Sequence, residues 1–380
     1  MTILEAVASR TRVVIAGGGV LGTMHAVAAR RRGFEVVQLD REAEARGASV
    51  RNFGLVWVSG RKAGPELDLA LRARALWSEL GTKVPGLGFR AAGSLTLAAG
   101  DAELALVKEA CTLPDAERRG FELLDPAAVR AVNPALRGDF AGGLLGRADA
   151  IVEPRQVLPA LRGYLAGDGY EWRPGREVTE VARNAVRDHL GAWHRGDLVV
   201  LCPGAAHTGA AGRYLAGGAL RRVRLQMMQT GPLAERVTTA LADGDSLRYY
   251  PAYDLPGRAQ LGPQPAVAAR ARAQLLLVQR ADGGLTIGDT HEYAEPFAFD
   301  LDEDAYDHLR ARAEALLGRP IPRVRRRWAG VYSEVNPDAP GAAGHALYHR
   351  AEVEPGVVLV TGPGGRGMTC SPAIAEETFG

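Results

Sequence analysis

Lysine is nearly missing from this 380-residue chain: of 46 basic side chains only Lys62, Lys83 and Lys108 carry an ammonium, and the rest are arginine. The formal net charge is still only +2, so no strongly basic face for nucleic acid is implied. Cysteine is equally scarce. Cys111, Cys202 and Cys370 are too few and too scattered for a disulfide framework or a zinc site, and they suit a reducing compartment. No apolar run approaches the roughly 20 residues of a membrane span, and the opening MTILEAVASR lacks the apolar core of a secretory signal. A cytoplasmic location with no membrane partner is expected. Internal repeats and low-complexity linkers are also missing. What remains is 47% apolar and 24% charged, the balance of a soluble globular protein long enough for a sizeable core and two domains.

The chain is organised around Val13–Gly22, VVIAGGGVLG. A short apolar run ends in Gly17-Gly18-Gly19-Val20-Leu21-Gly22 and passes into a helix-forming segment, Thr23–Arg32. This is the G-x-G-x-x-G order in its required context of strand, tight turn and helix. Gly17 permits the turn, Gly19 lets backbone approach a pyrophosphate, and Gly22 lets helix lie close on strand. Backbone N–H groups and the positive helix end then face the phosphates. Phe34–Asp40 reads as the second strand, and Asp40 is the carboxylate a ribose hydroxyl needs. Dinucleotide binding follows.

Past Asp40, the loop Arg46–Gly54 is rich in small and hydrogen-bonding residues and is read as wrapping the ligand, before an amphipathic helix over Pro65–Leu80. From Gly88 the pattern alternates as in a mixed or antiparallel sheet. Helices are expected over Asp101–Cys111, from Asp125-Pro126 to Pro134, and over Arg155–Ala166 after a short strand at Ala150–Pro154. Asp197–Ala205 is a buried parallel strand, with Gly204 allowing a close turn. Leu220–Thr230, Ser246–Tyr253, Gln274–Arg280 and Gly283–Asp289 read as strands of one sheet, with Met227 and Met228 as core filler and Asp302–Leu317 as a helix beside it. Val357–Thr361 is another buried strand, leading through Gly362-Pro363-Gly364-Gly365-Arg366-Gly367 to a helix at Ser371–Phe379. Two glycine cradles in one chain suggest a long cofactor lying across the domain. The fold class is therefore α/β, a Rossmann-like nucleotide domain with an interleaved α+β substrate domain. The nucleotide domain takes residues 1–85, 150–215 and 325–380, and the substrate domain takes 86–149 and 216–324.

These residues resemble the FAD-dependent amine oxidoreductases of the D-amino-acid oxidase, sarcosine oxidase and glycine oxidase superfamily. The resemblance covers essentially the whole chain. It rests on VVIAGGGVLG with Asp40, GASVRNFG at 47–54, VVLCPGAAHT at 199–208, RRWAGVYSEVNPDAPG at 326–341 and VLVTGPGGRGMTCSP at 358–372. SVRNFGLVW, the LALRARALW helix and SLRYYPAY also resemble a branch associated with aminophosphonate breakdown. The resemblance implies non-covalent FAD, with its pyrophosphate on Gly17, Gly19, Val20, Leu21 and Gly22 and its ribose on Asp40 beside Arg41. Ser49, Arg51 and Asn52 would reach the pyrophosphate-to-ribityl region. Gly204 would face the ligand, and the flavin would sit under Gly364, Gly365, Arg366, Gly367, Met368 and Thr369. The implied reaction is hydride loss from the carbon beside a neutral amine to flavin N5, with dioxygen or another acceptor taking the electrons. Relatives often carry a lysine over the flavin where Thr286 stands here, and Arg366 or His291 is a substitute cation.

For an anionic substrate, a guanidinium offers forked donors. Arg248 with Tyr249, Tyr250 and Tyr253 is the first choice of pocket, with Arg51 and Arg366 flanking the flavin and His291 as a catalytic and binding candidate. His207 also lies beside cofactor segments. Arg222 and Arg224, on one face of a strand with Arg221 on the other, read as a surface stripe, and of Arg325–Arg327 only those turned inward beside Trp328 would matter. The implied substrate is a small anionic amine. It is either 2-aminoethylphosphonate or its N-methyl or hydroxylated relatives, undergoing deamination or demethylation, or a glycine- or sarcosine-like carboxylate. An FAD electron carrier without an amine substrate is the alternative of another class.

Overall fold

The computed structural model describes residues 11–215, 217–339 and 346–380. Val13, Val14 and Ile15 are wholly buried, as β-branched residues are in a strand covered on both faces. Their strand, Arg12–Ala16, pairs in parallel with Glu35–Leu39 on one side and Leu198–Leu201 on the other. Tyr170–Arg173 extends the sheet beyond Glu35–Leu39, and Val357–Thr361 with the antiparallel His349–Glu354 extends it the other way. Helices Val20–Arg31, Pro65–Lys83 and Gly367–Phe379 pack together beside this six-stranded sheet. Trp77 lies at 0% exposure among them and donates its indole N–H to the carbonyls of Met368 and Thr369 at 3.0 and 3.1 Å.

The second sheet has eight strands. In spatial order they are Val324–Val335, Leu220–Pro232, Gly284–Gly288, Leu276–Gln279, Ala240–Ala242, Ser94–Ala98, Gly142–Gly146 and Phe121–Leu124. All neighbours are antiparallel except the parallel pair Ala240–Ala242 and Ser94–Ala98. Helix Glu303–Leu317 covers one face, capped by the Asp302 carboxylate, which accepts from Asp304 N at 3.0 Å, and ended by left-handed Gly318. Strand alternation sends Met228 into that covered face and Met227 into the opposite core, which borders the nucleotide sheet's loops. Strand Val324–Val335, placed by sequence from residue 325 onward in the third nucleotide segment, is the edge of the eight-stranded sheet, in register from Leu220↔Val335 to Gln229↔Arg326 with a bulge before Thr230↔Val324.

Two expected elements take other forms. Ser246–Tyr253 is not a strand: Ser246–Tyr249 is one helical turn and Pro251–Tyr253 a 3-10 turn. The Asp243 carbonyl accepts from Ser246 N and its carboxylate from Asp245 N, and Pro251 has no N–H for a ladder. The carboxy-terminal helix begins at Gly367 rather than Ser371, directly after a 3-10 turn over Gly364–Arg366. No described helix is long and apolar enough to cross a membrane.

Candidate active site

A cavity of about 1090 Å³ runs from the first glycine turn to the eight-stranded sheet, just above the roughly 300–1,000 Å³ of common small-molecule pockets. Every residue expected at the cofactor lines it, from Gly17 through Asp40, Ser49 and Gly204 to Thr369. The turn itself is built by close approach. A Cβ at Gly22 would stand 2.1 Å from the Gly17 carbonyl oxygen, and one at Gly17, where φ is +131°, 2.3 Å from that of Cys202. No side chain caps the helix at Gly19, and the first-turn N–H groups of Leu21 and Gly22 have no acceptor within the helix. Val20 N donates to Ser49 Oγ at 2.9 Å, and the Asp40 carboxylate accepts from Gly18 N at 2.5 Å and Glu42 N at 2.7 Å.

Asn52 shapes its loop instead of reaching outward. Its Nδ2 donates to the carbonyls of Ala48 and Ser49, and its Oδ1 accepts from Gly54 N. Arg51 donates to the Ala329 carbonyl at 2.8 Å, tying that loop to the eight-stranded sheet.

At the other end of the cavity the substrate residues named from sequence divide. Tyr250, His291 and Arg51 line it, and so does Tyr249. Arg248 does not. The helical turn directs its guanidinium to the Gly262 carbonyl and to Asp245 at 3.3 Å. Tyr253 is wholly buried, stacks on Phe121 and belongs to the core. Thr286 is also buried off the cavity, in the centre of the eight-stranded sheet. Arg224 is no surface stripe: it is 6% exposed, bound to the carbonyls of Ala298 and Asp300. Arg221 and Arg222 border the cavity, paired with Glu334 and Glu295, and His207 meets Ser333 Oγ at 2.8 Å. His291 cannot be the expected cation, because burial lowers it to about 4 and it is a neutral imidazole at neutral pH.

Sequence reasoning gave no role to Trp57, Arg61, Glu66, Gln274, Asp289 and Tyr332, which also line this end. Glu66 looks like an ordinary first-turn acid of helix Pro65–Lys83, yet it is 7% exposed. Its Oε1 stands 3.6 Å from both Arg61 Nη1 and Arg366 Nη1. Two guanidiniums thus share one carboxylate, leaving one positive charge in excess. Trp57 Nε1, Glu66 Oε1 and Arg366 Nε are buried without a hydrogen-bond partner. Such groups are costly unless a ligand satisfies them.

A mostly parallel sheet carrying a glycine cradle, an acid at the end of its second strand and a second glycine turn at the far end of one long cavity defines a dinucleotide-binding flavoprotein. The chain belongs to the FAD dependent oxidoreductase family, DAO, whose profile matches residues 12–379. FAD is the cofactor of that family, and the bare helix terminus, the close-packed glycines and the orphaned polar atoms fit it.

Among curated proteins the chain is similar to the thiamine biosynthesis oxidoreductase ThiO of Rhizobium etli, 34% identical over 205 residues, 52% of this chain and 55% of that one. It is also 28% identical over 186 residues to a component of the opine oxidase of Rhizobium meliloti, 44% of this chain and 48% of that one. The chain spans about half the length of these curated relatives. Its fold is similar to glycine oxidase from Bacillus cereus, with a TM-score of 0.76, 18% identity and coverage of 97% and 93% of the two chains. L-proline dehydrogenase from P. horikoshii gives 0.76, 17%, 97% and 91%.

Proposed function

We propose that the protein oxidises a small amine bearing an anionic group, by deamination or demethylation, with FAD as the immediate acceptor. The first candidates are 2-aminoethylphosphonate and its N-methyl or hydroxylated relatives, and the alternative is a glycine- or sarcosine-like carboxylate. The observation that carries this reading is the Arg61–Glu66–Arg366 group, whose excess positive charge stands in a buried, aromatic-walled end of the cavity. A phosphonate or carboxylate neutralises that charge and accepts from the orphaned Arg366 Nε in a charge-assisted hydrogen bond. Tyr250 and Trp57, both buried, wall the same end beside Tyr249. FAD, when bound, supplies the two-electron acceptor. The chain's part is to hold the anion, orient the amine and keep the site dry.

The test is the visible spectrum of the flavoprotein during anaerobic addition of N-methyl-2-aminoethylphosphonate, with sarcosine run identically. Bleaching by the phosphonate alone is the expected result. Bleaching by sarcosine alone transfers the site to carboxylates, and an oxidised band unchanged by either amine leaves an FAD carrier with no amine substrate of this class.

A further inference from the structure

Two hydrogen-bond acceptors face each other in the aromatic end of the cavity. His291 Nδ1 lies 3.1 Å from the Arg272 carbonyl. A carbonyl only accepts, so Nδ1 carries the ring proton and Nε2 presents its lone pair. That lone pair stands 4.0 Å from Asp289 Oδ2. The other carboxylate oxygen, Oδ1, accepts a long 3.4 Å hydrogen bond from Gln274 Nε2, and the carboxylate also meets its own backbone N–H. Asp289 and His291 are 7% and 5% exposed, and both line the cavity.

The surroundings do not compensate the carboxylate. Among the described residues no arginine or lysine forms an ion pair with Asp289. The titratable groups around it are the phenols of Tyr249, Tyr250 and Tyr332, all raised by burial and neutral, and the neutral His291. The Arg272 guanidinium lies over the Tyr293 ring at 4.7 Å. Tyr249 stacks on His291 with ring centres 4.2 Å apart, and Tyr250 meets Tyr249 edge-on at 5.1 Å. A buried carboxylate without a cation is costly, whereas a cation against tyrosine faces is favoured. One ligand relieves both conditions and can bridge the two acceptors from one side: an ammonium with at least two N–H bonds.

We infer that Asp289 and His291 Nε2 bind the substrate's ammonium group and that Asp289 Oδ2 removes one of its protons before oxidation. This rests on the amine-oxidising reading above. In the step one N–H bond breaks, its electron pair stays on nitrogen, and one O–H bond forms on Asp289. No oxidant takes part. The product is the neutral amine, from whose adjacent carbon a hydride can leave. The proton passes to solvent through the cavity once the product has left. Two facing acceptors select primary and secondary amines, because a tertiary ammonium has one N–H and cannot satisfy both. Burial raises Asp289 to about 7, which suits a base working near neutrality.

The test uses the holoenzyme and Asp289→Asn. Tert-butylammonium has no hydrogen on the carbon beside nitrogen and so cannot be oxidised, and its binding is read from the oxidised-flavin spectrum. We expect at least tenfold weaker binding to the variant, with its flavin content unchanged. With an amine that bleaches the wild type, the second-order rate constant of anaerobic flavin reduction, read well below saturation so that it reports the free site, rises with pH through about 7. In the variant that limb disappears, and the rate at pH 8 falls by about 100-fold or more. His291→Asn keeps the limb and raises the amine concentration needed for half-maximal reduction. Equal tert-butylammonium binding in both proteins, or a wild-type spectrum that this ion does not perturb, overturns the inference. So does a variant with the wild-type rate and pH profile. If tert-butylammonium binds and depends on Asp289 but no candidate amine bleaches the flavin, the inferred ammonium seat stands and the proposed substrate class falls.

Discussion

Asp40 shows how one side chain serves two ends of a design. Its carboxylate accepts from Gly18 N and Glu42 N, so the acid expected from sequence at a ribose also holds the glycine turn. Asp40→Ala should lose that brace with the ribose contact. We expect FAD affinity to fall by about 1–3 kcal/mol, roughly 5- to 150-fold, measured by titrating apoprotein with FAD.

Asp289 carries a stability consequence of the opposite sign to most carboxylates. Its folded value, raised by burial to about 7 from an ordinary 3.8, makes the folded chain the stronger proton binder between those values. Stability therefore falls as pH rises from about 4 to 7. At pH 8 Asp289→Asn should stabilise the apoprotein by up to about 4 kcal/mol, read from urea denaturation. A gain in stability beside a loss of turnover separates a chemical role from a structural one. His25 behaves conversely. It is wholly buried between the Leu21 carbonyl and Thr378 Oγ1, and burial lowers it to about 4. Its contribution is complete above 6.5 and is lost as pH falls toward 4, by up to about 3 kcal/mol. In the Asp289→Asn background, which removes the opposing carboxyl titration, urea midpoints measured from pH 7 to pH 4 should show that loss, and adding His25→Gln should reduce its slope.

At the scale of elements, the contact between strand Arg12–Ala16 and helix Val20–Arg31 leaves no room for a methyl. In Gly22→Ala the new carbon would meet the Gly17 carbonyl, and helix and strand would have to separate. The expected result is protein that loses FAD on gel filtration and is destabilised by about 1–3 kcal/mol. The carboxy-terminal turn depends on a different element. Trp77, from the middle of helix Pro65–Lys83, supplies an N–H to two carbonyls of the first turn of helix Gly367–Phe379. Trp77→Phe keeps the ring's bulk and leaves those carbonyls without this donor. It should lower the urea midpoint by an amount equivalent to about 1–3 kcal/mol, with FAD affinity falling in parallel because the same turn lines the cavity.

Over the whole molecule, the parts legible in the sequence are those specified by nearest neighbours along the chain. Val13–Ile15 and Val199–Leu201 announce buried parallel strands by composition, and Gly17–Gly22 and Gly362–Gly367 mark turns by the freedom they require. The cofactor end follows from these, and every residue named for it borders the cavity. The substrate end was less legible because it depends on relations across the fold. Ser246–Tyr253 has strand-like residues, but Asp243 and Pro251 turn it into helix, which takes Arg248 and Tyr253 off the cavity and leaves Tyr249 and Tyr250 on it. Glu66 and Asp289 look unremarkable in a string of letters. Glu66 is singled out by the two arginines that share it, and Asp289 by having no arginine or lysine ion pair among the described residues, and neither fact has a local signature.

The pairing of His25 with Thr378 spans 353 positions of sequence, and the helices carrying them, Val20–Arg31 and Gly367–Phe379, are packed face to face. On a ribosome the first helix emerges roughly 20–70 s before its partner. During that interval the apolar surface later covered by Ala373 and Ile374 has no native cover, so the nascent chain is a candidate client for holdase chaperones. Chains stopped after Val335 should collect in the insoluble fraction, whereas co-expression of residues 336–380 as a separate peptide should return part of them to solution.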